Sequence, residues 1–303
     1  MNTELEERRT HREATRVTSA HARSWLLVSA MRVEDFDDAQ LGRADQVILD
    51  LEDAVAPDAK AGAREAAAAA AASGGYGRRE LTIRVNGADT EWHDADLRAA
   101  CEAGPDAIVV PKVGSAQAVH TLVEALERHG APDGTTLWAM LETPYAMLHA
   151  EEIAAASERL TVLVMGTNDL VKELYAEHVP GRAPLLTGLS LALLAARATG
   201  KAVLDGVYND VKDTDGFLAE CRQGRELGFD GKTLIHPGQV EGANTAFAPS
   251  AEAVEDARGV LQAWEDGRGS GVVTYRGKMV ENLHVESARR TLTMHEAIEA
   301  LEG

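Results

Sequence analysis

The chain has 303 residues, 45% hydrophobic and 26% charged, which is ample for a large core, but no uninterrupted apolar run of the roughly 18 residues a bilayer span needs. Thirty basic against 49 acidic residues give a formal charge of −19, which repels nucleic-acid backbones and anionic membranes, so any phosphorylated ligand must meet a local reversal of potential from arginines or helix N-termini. Two cysteines, Cys101 and Cys221, and a start, Met-Asn-Thr-Glu-Leu-Glu-Glu, without a secretory signal's basic head and apolar stretch lead to the expectation of a cytoplasmic protein without disulfides.

Residues 1–20 are polar and read as a tail or frayed helix. From Ser24 short β-rich runs recur: Ser24–Ser29, Gln46–Leu51, Leu81–Asn86, Ala107–Lys112, Leu137–Glu142, Thr161–Gly166, Ala202–Val207 and Lys232–Pro237. The segments between them are long enough for crossover helices, and Ala59–Ala72, Ala116–His129 and Leu189–Thr199 are plainly helical. Apolar strands alternating with helices mark a parallel sheet covered on both faces. Eight of them predict a closed (β/α)8 TIM barrel over residues 21–248. The competing open, doubly wound sheet lacks the glycine-rich turn expected after its first strand. Residues 249–303 are expected to add a helix over Ala251–Asp266, a Gly-rich turn at Gly267–Gly271, a hairpin over Val272–Val280 and a final helix over Val285–Leu301. This C-terminal helical and hairpin extension would serve packing, subunit exchange or as an active-site lid.

Barrel active sites form where the strands' C-terminal ends converge. The polar residues there are Glu52, Asp53, Arg84, Asn86, Lys112, Glu142, Asn168, Asp169, Asp205, Asp210 and His236. Such a dense acidic ring calls for a cation, since buried charges must be paired or metal-bound. Glu142 and Asp169, ending neighbouring strands, are the expected Mg²⁺ ligands, although either could instead cap a helix. No His/Cys set has zinc spacing. Arg84 offers a guanidinium fork for a substrate carboxylate or carbonyl and for a developing enolate, or a buried ion pair with Glu52 or Asp53. Asp50, Glu52 and Asp53 are expected to orient Arg84 and the metal's waters, with Glu52 and Asp53 kept in the catalytic set. Lys112 reads as a mouth charge ahead of a Schiff-base amine, and His236 as a packed barrel residue.

At these residues the sequence resembles the citrate lyase β-subunit and malyl-CoA lyase family, within the HpcH/HpaI-like aldolases. The matching stretches run in order over nearly the whole chain: Val47-Ile-Leu-Asp-Leu-Glu-Asp-Ala-Val-Ala-Pro57 with Lys60 and Arg64, Arg84-Val-Asn86, Pro111-Lys112, Glu142-Thr143, Gly166 with Asp169-Leu170, Asp205-Gly206-Val207, Gly228-Phe-Asp-Gly-Lys232 and Ile235-His-Pro237. The resemblance implies Mg²⁺-assisted, reversible Claisen-type cleavage of a 3-hydroxyacyl-CoA, such as malyl-CoA or citramalyl-CoA, to acetyl-CoA and a 2-oxo acid. It further implies Mg²⁺ on Glu142 and Asp169, substrate on Arg84, a CoA phosphate on Arg32, and a homotrimer or hexamer whose C-terminal segment reaches a neighbour's site. Two positions depart from the family pattern. Val33 replaces a proline that often follows the residue matching Arg32, and Gly277-Lys-Met-Val-Glu281-Asn-Leu carries Glu281 where the family has an aspartate proposed as acid/base. Other outcomes compatible with the sequence are a malyl-CoA thioesterase or malate-synthase-like activity, an aldolase of free 4-hydroxy-2-oxo acids, and a subunit active only within a complex.

Overall fold

The computed structural model describes residues 22–35, 43–73, 76, 79–267 and 272–302. The tail expected over residues 1–20, and residues 268–271 of the expected turn, lie outside them. The chain divides into two compact units between Ala246 and Phe247.

The first unit is the expected barrel. Strands β1 (Ser24–Ser29), β2 (Gln46–Asp50), β3 (Glu80–Arg84), β4 (Ala107–Val110), β5 (Thr136–Leu141), β6 (Leu160–Met165), β7 (Ala202–Asp205) and β8 (Gly231–Leu234) form one closed sheet in sequence order. Every pairing is parallel, and β1 pairs with β8 to close the ring. Seven strands end one to three residues earlier than their apolar runs suggest, so Glu142, Lys112 and Asn86 stand on loops just beyond the ladder. Helices α1 (Lys60–Ser73), α2 (His93–Ala103), α3 (Ala116–Arg128), α4 (Pro144–Leu148), α5 (Ala150–Ala155), α6 (Thr167–Glu173), α7 (Leu186–Thr199), α8 (Thr214–Leu227) and α9 (Val240–Phe247) supply the crossovers and cover. Several starts are fixed by side-chain caps: the Ser115 hydroxyl accepts from the Ala118 N–H and the Thr143 hydroxyl from the Ala146 N–H, both at 3.1 Å.

Side chains fill the barrel floor. Trp25 is fully buried, and its indole N–H donates to Gln46 Oε1 at 2.7 Å. A Cβ at Gly231 would collide with that indole ring, so a glycine on β8 makes room for a tryptophan on β1. No described helix is long and apolar enough to cross a membrane.

The second unit contains α10 (Ala251–Asp266), the antiparallel pair β9 (Val273–Tyr275) and β10 (Lys278–Val280), and α11 (Asn282–Glu302). Its hairpin turns on two residues with positive φ, Arg276 at 48° and Gly277 at 75°, the type I′ geometry that suits the twist of paired strands. Tyr275 packs over Gly259 of α10, where any Cβ would strike its ring.

Candidate active site

A cavity of about 410 Å³ opens at the C-terminal end of the barrel. Strand alternation decides which residues reach it. Register places Ser29, Asp50 and Arg84 side by side on one face of β1, β2 and β3, and all three line the cavity, with Asp53, Met140, Glu142, Asn168 and Asp169.

Arg84 is the fixed point of the site. Its Nε and Nη2 donate to the two oxygens of Asp50 at 2.7 and 2.8 Å, a planar two-point pairing that leaves the guanidinium little freedom. Asp50 is itself held by the N–H groups of Glu52 and Ala54, each at 2.9 Å. Burial works against the ionised form of Asp50, yet Arg84 and these N–H donors hold its carboxyl below the ordinary value. Nη1 of Arg84 meets Glu52 Oε2 at 2.9 Å, Asp53 Oδ2 at 3.8 Å and the Met140 thioether at 3.9 Å. The ion pair expected with Glu52 or Asp53 is present, and of the three acids expected to orient Arg84 the two-point partner is Asp50, because residue 50 shares the inner face with residue 84 while Glu52 and Asp53 follow on the loop. One edge of the fork therefore belongs to Asp50, and Nη1 is the corner nearest the acidic loop. Glu52 lies behind this corner and is absent from the cavity lining, whereas Asp53 and Arg32 are part of it.

Glu142 is 2% exposed. Its Oε1 accepts from the Lys112 N–H at 2.7 Å, and Lys112 delivers that N–H from a left-handed backbone with φ of 54°, a conformation a lysine adopts at some cost. A Cβ at Gly166 would run into Glu142 Oε2, so the glycine just after β6 is the floor on which this carboxylate lies. Burial and the neighbouring charge of Asp169 push Glu142 up to about 7. Glu52 rises to about 7 as well, through burial and the charges of Asp53 and Glu142, against the opposing pull of Arg84. The donor set at Glu142 and Asp169 is all oxygen, the chemistry Mg²⁺ prefers, and two repelling carboxylates are what a divalent cation relieves. Among the described residues no group of three or more His, Cys, Asp and Glu is placed to hold a metal. A cation here would complete its shell with water and ligand oxygens, so the pair fits Mg²⁺ and not zinc.

The remaining expected residues divide. The Lys112 side chain is exposed and outside the cavity lining. Burial opposes its charge, but Asp89, Asp169, Glu142 and Glu52 raise its pKa, the opposite of what a Schiff-base amine requires. Asp205 does not belong to the mouth. It is fully buried and pairs with Arg182 Nη1 at 2.6 Å and Lys232 Nζ at 3.1 Å, on the outer face of β7. Asp210 lies on an exposed loop, where it accepts from the Lys212 N–H. His236 is exposed and its Nδ1 accepts from the Gly238 N–H, capping a short turn. Asn86 sits behind the site, bonded to Lys60 and Asp96. Glu281 falls in the second unit between β10 and α11, where its N–H donates to His284 Nδ1 at 3.0 Å and its carbonyl accepts from the His284 and Val285 N–H groups. Asn209 is not among the residues the sequence points to, yet its amide exchanges hydrogen bonds with Asn168 at 2.7 and 3.1 Å across the mouth; the same holds for Thr167, Val207 and Ile235 of the lining. Residues 207 and 209 follow a short strand on a loop without regular alternation, so no sequence pattern points at them.

Residues 23–237 match the family HpcH/HpaI aldolase/citrate lyase, and residues 186–297 match the family C-C bond lyase of the TIM-barrel fold. A (3S)-malyl-CoA thioesterase of Cereibacter sphaeroides is 49% identical over 280 residues, covering 92% of this chain and 96% of that protein. Citrate lyase subunit beta of Leuconostoc mesenteroides subsp. cremoris is 36% identical over 267 residues, covering 86% and 88%. The structure of CitE from Mycobacterium tuberculosis in complex with magnesium, acetoacetate and coenzyme A superimposes with a TM-score of 0.74 at 30% identity, covering 91% of this chain and 99% of that one. With the closed barrel, the inward acidic mouth and a family match over most of its length, the chain belongs to the HpcH/HpaI aldolase/citrate lyase enzymes.

Proposed function

We propose that this enzyme hydrolyses a small acidic 3-hydroxyacyl-CoA thioester of the malyl type, with Mg²⁺ held by Glu142 and Asp169. The observation that carries the reading is the convergence of Glu142, Asp169 and Arg84 on one cavity, in a chain alike over nearly its full length to a (3S)-malyl-CoA thioesterase. When bound there, Mg²⁺ supplies Lewis-acid neutralisation of oxygen charge. Arg84, immobilised by Asp50, presents its donors to a substrate oxygen without reorganising, which is where a fixed cation contributes most. Hydrolysis joins a water oxygen to the thioester carbonyl carbon, breaks the carbon–sulfur bond and releases a carboxylate, CoA thiol and a proton. Asp53 is the group we assign to accept that proton, supported by its place in the lining 3.8 Å from Arg84 Nη1. Glu52 holds that corner of Arg84 in place. Arg32, on the turn after β1 and in the lining, supplies local positive charge for a CoA phosphate in an otherwise acidic protein.

A second reading is the carbon–carbon cleavage itself, giving acetyl-CoA and a 2-oxo acid. It is favoured by the match of residues 186–297 to carbon–carbon bond lyases and by the suitability of Arg84 beside a metal pair for an enolate oxygen. In either reading the proposal includes a cytoplasmic trimer or hexamer in which Glu281 of one copy serves as acid/base at another's site. The deciding experiment incubates purified protein and Mg²⁺ with malyl-CoA, citramalyl-CoA and methylmalyl-CoA, following free CoA and 2-oxo acid separately. Free CoA without 2-oxo acid supports hydrolysis, 2-oxo acid with acetyl-CoA supports cleavage, and turnover of no thioester defeats both. Glu281→Ala is expected to lower kcat, and mixing it with Glu142→Ala is expected to restore part of the activity if the two residues meet between copies.

A further inference from the structure

Lys60, at the start of α1, is 5% exposed, and its ammonium donates to the carbonyls of Leu51 and Glu52 and to Asn86 Oδ1, each at 2.7 Å. All three partners are neutral. Burial lowers the lysine's pKa against the raising pull of Asp50, Glu52, Asp96 and Asp53. A buried cation bound only to neutral acceptors is expensive, and an apolar side chain of similar volume would be a cheaper core residue. Its three bonds converge on the two backbone segments that fix Arg84. The Leu51 N–H donates to the Arg84 carbonyl at 2.9 Å, so the residue whose carbonyl Lys60 grips also holds the Arg84 main chain. The Glu52 carbonyl is gripped on the residue whose carboxylate meets Arg84 Nη1. Asn86, two residues beyond Arg84, is held by Lys60 through its oxygen, while its amide nitrogen donates to the Leu51 carbonyl at 2.9 Å and to Asp96 Oδ2 at 2.6 Å. Arg64, one turn along α1, secures Asp96 from the other side at 2.6 Å. The Trp92 ring closes over the ammonium at 5.2 Å from its centroid, a cation–π contact that shields it further from water.

We propose that Lys60 is a positioning residue for Arg84: through Leu51, Glu52 and Asn86 it locks the loops after β2 and β3 so that the guanidinium is fixed before substrate arrives. The inference rests on the reading of Arg84 as the substrate-contacting cation. Lys60 itself is outside the cavity lining.

The test compares Lys60→Met, Lys60→Arg and Glu52→Gln with the double variant Lys60→Met/Glu52→Gln in the full-length protein. Activity on the thioester is combined with nitrogen-15 NMR of the Arg84 Nε–H, assigned by its loss in Arg84→Lys. In wild type that signal is expected to be sharp and slow to exchange. In Lys60→Met it should broaden or exchange at least about tenfold faster, with kcat lower by roughly ten- to a hundredfold while KM and Mg²⁺ binding stay near wild type. The double variant should be no worse than the poorer single one, because both act through Arg84. An unchanged Arg84 signal, additive losses, or an effect confined to KM would overturn the proposal. Should Lys60→Met not fold, Lys60→Arg carries the test, since its planar fork cannot meet the same three acceptors, and wild-type kcat and Arg84 exchange in that variant would overturn the proposal equally. A wild type that turns over no thioester counts against the functional reading alone, because the NMR measurement needs no substrate.

Discussion

Asp50 and Asp205 each end a barrel strand and each pairs with an arginine, yet they belong to regions of different purpose. Asp50 shares the inner face with Arg84, and the pair opens onto the cavity. Asp205 shares a register pair with Lys232 on the outer face, and with Arg182 and Glu220 it forms a network sealed between the sheet and its cover, Lys232 being fully buried. The same chemistry thus lines the cavity on one side of the sheet and is sealed beneath the cover on the other. The difference lies in the parity of a residue's position along its strand, not in residue type.

Variants that remove the proposed Mg²⁺ ligands test the inner region most severely. Glu142→Ala or Asp169→Ala is expected to cut turnover roughly 10³-fold and to abolish its Mg²⁺ dependence, read by the CoA-release assay and by calorimetric Mg²⁺ titration. Arg84→Lys retains a charge but loses the two-point bond to Asp50, and kcat should drop roughly a hundredfold in a folded protein. The outer region should respond in the opposite sense. Lys232→Met leaves Asp205 and Glu220 short of a buried cation and should lower unfolding free energy by about 3 kcal/mol in denaturant titration while kcat stays within about twofold. A large kcat loss there would erase the distinction between the two regions.

The smallest effect is the pH dependence of the metal-free protein. Glu52 and Glu142 have pKa values raised from 4.5 to about 7. Between these values the unfolded chain has released protons that the native state still holds, so stability is greatest below about 4.5 as far as these two groups are concerned and declines as pH rises through about 7. Thermal denaturation in EDTA should show that decline. Saturating Mg²⁺ should flatten the share due to Glu142, whose ionised form the cation favours. A Tm in EDTA that climbs from pH 5 to 8 would count against the assignment of these two carboxyls.

Much of this was legible beforehand, because eight apolar runs separated by helix-length segments have one common closed arrangement, and the ends of those runs must form its mouth. The positions of Arg84, Glu142 and Asp169 followed from that alone. What the runs could not give was partnership. Asp50, Glu52 and Asp53 are together expected to orient Arg84, but nothing local in Asp50-Leu-Glu-Asp53 singles out Asp50 as the two-point partner that locks it. Asp205 reads as another mouth carboxylate until its register with Lys232 on β8 places it on the outer face. Lys60 and Asn86 are 26 residues apart, and Asn168 and Asn209 are 41 apart, separations over which no periodicity carries information.

The amino-acid sequence by itself therefore determined the barrel, its extension and the chemical character of the mouth, since hydrophobic periodicity and strand-end chemistry are properties of consecutive residues. Only the tertiary structure decided which charges face the cavity, which are sealed away, and that a buried lysine stands behind the arginine. Those outcomes depend on sheet closure and register, which bring distant residues to one face and fix which side of the wall each side chain occupies.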